Sequence, residues 1–333
     1  MNLSRRINQL AHLGTYMQSD ADEWVAVKHR AFLQNNWFIP DFINLSVHNI
    51  VKAFLSIDNL QDVVEKYKIP QNNPSPKKVG IVMAGNIPLV GFHDLLAVFL
   101  CGHYAYVKPS GKDEVLIKHI IEKIVEWEPE AAPYFQIQTL LKNCDAYIAT
   151  GGQTASTYFE YYFGKYPHIL RGNRTSLAIL QGNETTGELD ALADDVYLYF
   201  GLGCRNVTKI FVPRHYDFVP LLDAFKKYDH LAQHNKYKNN YDHNLALHLL
   251  NNKYYMTNGS ILIIEDPSPF SPISQLNYEY YDNAQDVETL LINNHNIQCV
   301  VGKNRIGFGE SQRPGMCDFA DGVDSFKFLL ELK

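Results

Sequence analysis

The sequence predicts an α/β protein built on parallel β-sheets. From about residue 77 onward, short apolar runs alternate with longer amphipathic segments, which is typical of strands that alternate with helices in a parallel sheet. Each apolar run ends in a turn of small or polar residues. At 333 residues the chain is long enough for two domains, and 46% hydrophobic with 20% charged residues are ordinary values for a globular protein.

The predicted elements follow in order along the chain. Residues 1–69 carry apolar side chains at three-to-four spacing and predict a layer of helices, which ends at the proline- and asparagine-rich stretch 70–76. The pattern then predicts strands at 79–83, 104–107, 146–149, 175–180, 209–212, 260–265, 276–281, 298–301 and 326–332. It predicts helices at 89–101, 113–127, from 153 onward, 188–200, 218–228, 240–250 and 284–291.

Charge and cysteine usage exclude several classes of partner. The net charge is −6 and the basic residues are scattered, so we expect no nucleic-acid binding. The five cysteines are widely separated and form no C-x-x-C pair, which predicts a protein of the reducing cytoplasm. The histidines do not converge on a ligand pattern, so no metal site is predicted. We also expect no signal peptide and no membrane span.

One cysteine in a glycine-rich turn carries the most chemical information. Cys204 follows Gly201 and Gly203 and precedes a predicted buried strand. The glycines permit unusual backbone angles and a close approach of substrate to the sulfur. The local pattern leaves two interpretations open, namely a nucleophile on a rigid turn and a small apolar core residue. Arg205 and Lys209 bring positive charge nearby in sequence, which favours a thiolate.

Small and polar residues also follow three of the predicted strands. In an open parallel sheet, ligands bind at the carboxyl ends of the strands, so we expect these residues to converge on one crevice. A lysine there suits a ribose or phosphate, and glycines let the backbone approach a dinucleotide at a helix N-terminus. No G-x-G-x-x-G occurs, and each turn alone also fits an ordinary turn. The residues are Asn86, Lys108, Ser110, Thr150, Gly151 and Gly152.

Taken together and in order, these turns resemble the aldehyde dehydrogenase superfamily. The resemblance extends over about residues 77–333, and the helical N-terminal part matches more loosely. Gly203-Cys204-Arg205-Asn206-Val207 and the short chain are similar to the LuxC-type acyl-CoA reductase branch. The motifs that carry the resemblance are Gly85-Asn86-Ile87-Pro88, Val107-Lys108-Pro109-Ser110, Thr150-Gly151-Gly152 and the segment 201–212.

The resemblance implies an aldehyde-dehydrogenase-like α/β fold with three regions. Residues 1–70 are expected to form a helical layer packed on the cofactor domain. Residues 71–183 are expected to form a Rossmann-like, parallel-sheet domain that binds NAD(P). Residues 184–333 are expected to form a smaller α/β domain that contains the catalytic cysteine. The family relationship also implies a homodimer.

The resemblance assigns two catalytic residues. Cys204 is expected to be the nucleophile, and the side chain of Asn86 is expected to form the oxyanion hole together with the backbone amide of Cys204. Aldehyde-oxidising relatives carry a water-activating glutamate where this chain has Leu170. Without that base, water attack on an acyl-enzyme is slow, as a reductase requires.

The resemblance also assigns the cofactor contacts. Lys108 and Ser110 are expected to contact the adenosine ribose, and the turn Thr150-Gly151-Gly152 is expected to lie beneath the pyrophosphate. The segment Ser268-Pro269-Phe270-Ser271-Pro272 lacks the family's glutamate, and Phe270 is expected to position the nicotinamide ring. NAD-preferring relatives have an acidic residue where this chain has Gly111, which favours NADPH, with NADH as the alternative.

The implied reaction is NADPH-dependent reduction of an acyl thioester, such as acyl-CoA, to the aldehyde through an acyl-cysteine on Cys204. Two alternatives remain open. One is an acyl-phosphate reductase of the same superfamily, which uses a similar cysteine and also lacks the glutamate. The other is a catalytically inactive binding or assembly subunit.

Overall fold

The computed structural model describes residues 1–292 and 294–332 and has the predicted α/β architecture with parallel strands. The chain divides into two units, each built on its own sheet. The first unit comprises Met1–Asn173 together with the chain from Pro314 onward, and the second comprises Arg174–Arg313. Lys333, the end of the third predicted region, lies outside the described residues.

The first unit begins with four helices, in agreement with the helical pattern of the N-terminal sequence. Asn2 and Ser56 accept backbone N–H bonds at the starts of the first and fourth helices, as N-cap residues do. The indole N–H of the buried Trp24 donates to the Met17 carbonyl at 2.9 Å, so this tryptophan is a packing residue. The helices are α1 (Leu3–Met17), α2 (Asp22–Gln34), α3 (Pro40–Phe54) and α4 (Ile57–Tyr67).

A five-stranded sheet in which every pair is parallel forms the core of the first unit. Its strands are β1 (Lys78–Val82), β2 (Tyr104–Lys108), β3 (Phe135–Ile137), β4 (Ala146–Thr150) and β5 (His168–Arg171). They lie in the order β3-β2-β1-β4-β5, so the strand order reverses at β1. Open parallel sheets bind ligands at such a reversal. The helices between the strands are α5 (Phe92–Leu100), α6 (Glu114–Trp127) and α7 (Gln153–Phe163). Both α1 and α2 pack on α6.

The second unit contains a six-stranded sheet. Its strands are β6 (Thr175–Ile179), β7 (Val207–Pro213), β8 (Met256–Thr257), β9 (Leu262–Glu265), β10 (Gln275–Tyr281) and β11 (Ile297–Gly302). They lie in the order β11-β6-β7-β10-β9-β8, and only β8 is antiparallel to its neighbour. The helices are α8 (Thr186–Tyr197), α9 (Val219–Ala224), α10 (Asn235–Leu250) and α11 (Ala284–Leu291). Thr185 and Glu188 form a reciprocal capping box at the start of α8.

The predicted strand at 326–332 is wrong. This part of the chain forms helix α12 (Ser325–Leu330), which begins where the Asp324 side chain accepts the Lys327 N–H. The apolar run alternates like a strand in sequence, yet Phe326 and Leu329 are three residues apart and both fully buried, as on one helix face. The helix packs on α5 within the first unit.

The other predicted strands are confirmed, with ends shifted by at most two residues. The pattern missed β3, β5 and β8, which have three, four and two residues. The helix predicted at 188–200 stops at Tyr197, and the helix predicted at 218–228 is α9 followed by the 3-10 helix Phe225–Gln233.

A buried ion pair lies at the end of β5. Arg171 donates to the Asp94 carboxylate in the first turn of α5 at 2.5 Å and to the Ser325 hydroxyl of α12 at 2.9 Å. Arg171 and Asp94 are both buried. The pair therefore joins a strand, a helix and the C-terminal segment inside the first unit.

We predict that Asp94→Leu alone lowers the free energy of unfolding by about 3–5 kcal/mol, because it leaves the buried Arg171 charge uncompensated. The double variant Asp94→Leu/Arg171→Met should recover most of that loss, since it removes both buried charges and keeps the volume apolar. Urea denaturation of the wild type and the two variants checks this. Equal losses in the single and double variants would contradict it.

Candidate active site

The predicted site residues divide between the two units. The first unit carries Asn86 after β1, Lys108 and Ser110 at the end of β2, and Thr150–Gly152 at the end of β4. The second unit carries Cys204 and Phe270. The structure places each predicted residue on a loop or at the end of an element, as the sequence pattern indicated.

The turns after β1 and β2 lie against each other. The Met83 N–H donates to the Lys108 carbonyl at 3.1 Å, which continues the strand pairing into the turn. A Cβ on Gly85 would lie 2.5 Å from the Ser110 hydroxyl oxygen, so only glycine fits there without a shift. The structure thus brings Asn86 and Ser110, both half-buried, and the exposed Lys108 to one edge of the sheet.

Two buried side chains hold the loop that contains Asn86. The Asp113 carboxylate accepts the Leu89 N–H at 2.7 Å, and the Ser46 hydroxyl donates to the Pro88 carbonyl at 2.7 Å. Leu89 has a φ of +58°, which a non-glycine residue adopts only when its surroundings impose it. Burial raises the pKa of the Asp113 carboxyl well above its usual value, against the opposing effect of the Leu89 N–H. The sequence pattern did not identify Asp113 or Ser46.

The turn after β4 contains two glycines with different surroundings. The Gly151 N–H donates to the Arg171 carbonyl at 3.2 Å, and a Cβ on Gly151 would lie 2.8 Å from the Cβ of Ala155. Gly152 precedes the first residue of α7, and a Cβ there would meet no heavy atom within 4 Å. Close packing against α7 therefore explains why residue 151 is a glycine. At Gly152 no neighbouring atom requires a glycine, and the space at the start of α7 is open. Thr150 lies beside them, with its hydroxyl 3.5 Å from the Arg171 guanidinium.

The N-terminal helices hold the loop after β2. Gln34, the last residue of α2, donates to the Gly111 carbonyl at 2.9 Å, and Asn35 donates to the Lys112 carbonyl at 3.2 Å. A Cβ on Gly111 would have no heavy atom within 4 Å, so this position is open. The helical layer thus fixes the backbone of a predicted cofactor loop while leaving Gly111 room for a side chain.

The turn that carries Cys204 is preceded by an unusual backbone segment. Tyr199, Phe200 and Gly201 have φ values of +56°, +57° and +73°. This left-handed run ends helix α8, which is why the predicted helix stops early. A non-glycine residue in this region costs on the order of 1–3 kcal/mol. Cys204 itself is half-buried, in contrast to the fully buried Cys299.

The Cys204 turn is held from both sides. The Asn206 N–H donates to the Gly203 carbonyl at 3.1 Å and closes the turn, while the Asn206 side-chain oxygen accepts the Gly203 N–H at 2.8 Å. The Ser176 hydroxyl of β6 donates to the Cys204 carbonyl at 3.0 Å. Asn206 and Ser176 are both fully buried. The sequence pattern missed both roles. Ser176 acts on a residue 28 positions away, and the Asn206 side chain bonds not only to Gly203 but also to the carbonyls of Leu198 and Asp195.

Of the two basic residues near Cys204 in sequence, Lys209 is paired with other groups. Lys209 is buried, and its ammonium group donates to Glu279 at 2.6 Å and to the Pro267 carbonyl at 2.7 Å. Its charge is therefore compensated by Glu279. Burial raises the pKa of the Cys299 thiol, while the Ser176 hydroxyl and the Arg205 guanidinium oppose that rise. Arg205 thus interacts with Cys299.

The loop that contains Phe270 is attached to the strand that follows Cys204. The Thr208 hydroxyl of β7 donates to the Pro269 carbonyl at 2.6 Å, and the Asn277 amide of β10 donates to the Phe270 carbonyl at 3.1 Å. Phe270 is half-buried. Inside the second unit, the Phe270 loop is therefore attached to Thr208 of β7, which lies four residues after Cys204 in the sequence.

A small cavity lies behind the left-handed segment. Phe200, Gly201, Tyr237 and Ile273 are among its lining residues, and its volume is about 20 Å³. This is room for about one water molecule. The cavity therefore cannot accommodate an acyl chain.

Within residues 1–292 and 294–332, no group of three or more His, Cys, Asp or Glu side chains is arranged to hold a metal ion. None of the described helices is both long and apolar enough to cross a membrane.

The sequence of the chain matches a known protein family. A family model described as acyl-CoA reductase (LuxC) matches residues 36–220. The chain belongs to the acyl-CoA reductase (LuxC) family. The match includes Asn86, the loops after β2 and β4, and Cys204, whereas Phe270 lies outside it. No curated protein sequence matches this LuxC-family chain.

Solved structures confirm the predicted fold class. An aldehyde dehydrogenase of Mycobacterium tuberculosis, solved with NAD+, is 14% identical over 87% of this chain and 71% of its own, with a TM-score of 0.66. Aldehyde dehydrogenase 21 of Physcomitrella patens, solved with succinate, is 11% identical over 99% and 84%, with a TM-score of 0.70. An NADP-dependent enzyme of E. coli is 10% identical over 90% and 73%, with a TM-score of 0.66. The LuxC-family chain therefore has the aldehyde dehydrogenase fold.

A buried carboxyl near the end of α8 makes stability depend on pH. Asp195 is fully buried and accepts the N–H groups of Gly309 at 2.7 Å and Ser311 at 2.9 Å. Burial raises the pKa of Asp195 from 3.8 to about 6, although the bonds from Ser311 and Gly309 oppose the rise. The folded state therefore binds more protons than the unfolded state between these two pH values.

We predict that the free energy of unfolding falls as pH rises from about 4 to 6, because the folded state must release the Asp195 proton in this window. A rise of about two pKa units corresponds to about 3 kcal/mol. Asp195→Asn should lack this component, so the wild type should lose stability relative to the variant across the window. Urea denaturation at pH 4, 5, 6 and 7 measures the difference, and parallel pH curves for the two proteins would contradict the prediction.

Proposed function

We propose that this protein reduces an acyl thioester, such as acyl-CoA, to the aldehyde with NADPH. The Cys204 thiolate attacks the thioester carbonyl and expels the carrier thiol, which leaves an acyl-cysteine. NADPH, when bound, would supply the hydride that reduces the acyl carbonyl of the acyl-cysteine. The resulting thiohemiacetal anion on Cys204 would then collapse to the aldehyde and the free thiolate. The observation that carries this proposal is the half-buried Cys204 on a turn fixed from both sides, in a chain of the acyl-CoA reductase family.

The oxyanion of the proposed reaction needs fixed hydrogen-bond donors. We assign this role to the Asn86 amide and the Cys204 backbone N–H. The support for Asn86 is its position on a loop that buried Asp113 and Ser46 hold in place. Donors held before the reaction stabilise developing charge without reorganisation.

The proposed cofactor site lies at the carboxyl ends of β1, β2 and β4. NADPH would contact Lys108 and Ser110 through its adenosine ribose and the turn Thr150–Gly152 through its pyrophosphate. The open space at Gly152 supports this, because backbone next to a phosphate needs such space. In the second unit, Phe270 would position the nicotinamide ring.

NADPH is preferred over NADH in this proposal because Gly111 carries no carboxylate that would repel a 2′-phosphate. We further propose that the enzyme is a homodimer, on the basis of its family resemblance, and that it is cytoplasmic, on the basis of its five widely separated cysteines. The functional division into regions 1–70, 71–183 and 184–333 belongs to the same proposal.

We predict that purified protein oxidises NADPH with at least one member of a panel of acyl-CoAs of increasing chain length. Cys204→Ala should abolish this activity because it removes the nucleophile. Asn86→Ala should reduce kcat on the order of a hundred- to a thousand-fold, the effect of losing one oxyanion donor. Absorbance at 340 nm and aldehyde trapping measure both, with circular dichroism as the control for folding.

The same assay separates the alternatives. Activity with acyl phosphates but with no acyl-CoA would replace the proposal by acyl-phosphate reduction. No turnover with either class, together with an unreactive Cys204 in folded protein, would support a non-catalytic subunit. An unchanged rate in Asn86→Ala would remove the assigned role of Asn86.

We predict that Gly111→Glu lowers the ratio of kcat/KM for NADPH to that for NADH by at least about tenfold, because a carboxylate there repels the 2′-phosphate. Gly111→Gln is the matched control, with similar size and no charge, and should change the ratio much less. Both side chains fit, since the position is open. Equal effects of Glu and Gln would show that charge at this position does not select the cofactor.

A further inference from the structure

We propose that Asn206 is the positioning residue of the Cys204 nucleophile. The inference rests on the proposed function and names a residue that acts through the turn without touching the substrate. Its side-chain amide connects the end of helix α8 to the backbone immediately before Cys204, so the helix sets the direction of the thiol.

The contacts of Asn206 lie on both sides of the left-handed segment. Its amide nitrogen donates to the Leu198 carbonyl at 2.8 Å, directly before that segment, and to the Asp195 carbonyl at 3.1 Å. Its amide oxygen accepts the Gly203 N–H at 2.8 Å, directly before Cys204. One buried side chain therefore joins the residue before the left-handed segment, Leu198, to the residue before the nucleophile, Gly203.

This geometry has a chemical consequence for the thiol. Left-handed residues persist only where the surrounding structure imposes them, and Asn206 imposes them here from both ends. The Asn206 side-chain oxygen holds the Gly203 N–H, and the Asn206 N–H holds the Gly203 carbonyl, so both peptide groups next to Gly203 are fixed. With Asn206 in place, the backbone that leads into Cys204 keeps one conformation, and the thiol is presented in one orientation. Without Asn206, the turn relaxes and the thiol should behave more like an ordinary cysteine.

If Asn206 only stabilised the second unit, its truncation would have a different effect. Asn244 is also buried in the second unit, and its amide donates to one loop carbonyl, that of Ile273, at 2.9 Å. Truncation of either asparagine removes buried hydrogen bonds and destabilises the unit. Only truncation of Asn206 should change the chemistry of the thiol. Asn244→Ala is therefore the matched control.

The test is the rate at which iodoacetamide alkylates Cys204 between pH 5 and 10, followed by mass spectrometry of the tryptic peptide. We expect Asn206→Ala to lower the rate at pH 7 by about tenfold and to shift the midpoint of the pH profile, because the thiolate content of a cysteine depends on its immediate surroundings. Asn244→Ala should leave both unchanged. Asn206→Asp, which keeps the acceptor for Gly203 and replaces the donor to Leu198, is the second variant and should shift the profile in the same direction.

Steady-state kinetics with acyl-CoA give an independent readout. Asn206→Ala should lower kcat by about tenfold or more with KM for acyl-CoA changed by less than about threefold, as expected for a residue that orients the nucleophile. The alkylation assay needs no acyl substrate, so a protein inactive with every thioester would refute the proposed function and leave the alkylation result valid. An unchanged rate and pH midpoint in a folded Asn206 variant would overturn the inference.

Discussion

The parallel pairing of β1 with both of its neighbours is the constraint on which the first unit depends. Val82, the last residue of β1, lies opposite Lys108 of β2 and Ala149 of β4, so the three strands end at the same level. Their turns must then lie side by side. Gly85 has no Cβ because the turn after β2 occupies that space. The convergence of the predicted cofactor residues is thus a consequence of strand register.

The second unit holds its cysteine by a different means. A helix leads into the Cys204 turn, and its last carbonyl groups lack partners within the helix. Asn206 supplies donors to several of them and an acceptor for Gly203. Each such bond contributes on the order of 1 kcal/mol, a magnitude similar to the cost of one left-handed residue. The hydrogen bonds of the buried Asn206 side chain therefore offset the backbone strain of the left-handed segment before Cys204.

The sequence predicted the parts of the fold that depend on local pattern. Mostly apolar runs identified β1, β4 and β7, because strands buried on both faces of a parallel sheet are mostly apolar. The short strands β3, β5 and β8 gave too little pattern to be recognised, and α12 was misread because its apolar residues also fit alternation. In these segments the secondary structure depends on contacts with the rest of the fold, which the local sequence pattern does not contain.

The candidate site could be predicted only where chemistry follows from residue type and turn position. Cys204, Asn86 and the turn glycines have such signals. Asp113 and Ser176 do not, because their partners lie 24 and 28 residues away in sequence. Lys209 shows the opposite error, since the sequence gives its charge but not its pairing with Glu279. Long-range polar contacts are invisible to periodicity and require the fold.

The residues at the end of β5 are relevant to whether the proposed reaction runs as a reduction or as an oxidation. Oxidation of an aldehyde to an acid needs a base that activates water, whereas reduction of an acyl-cysteine is served by its absence. Leu170 cannot accept a proton, and the neighbouring Arg171 is held as a cation by the buried Asp94 carboxylate. That carboxylate is in turn committed to the guanidinium and cannot serve as the base without leaving a buried charge unpaired. Neither Leu170 nor the Arg171–Asp94 pair therefore supplies a base that activates water, which agrees with the reductive direction of the proposed reaction.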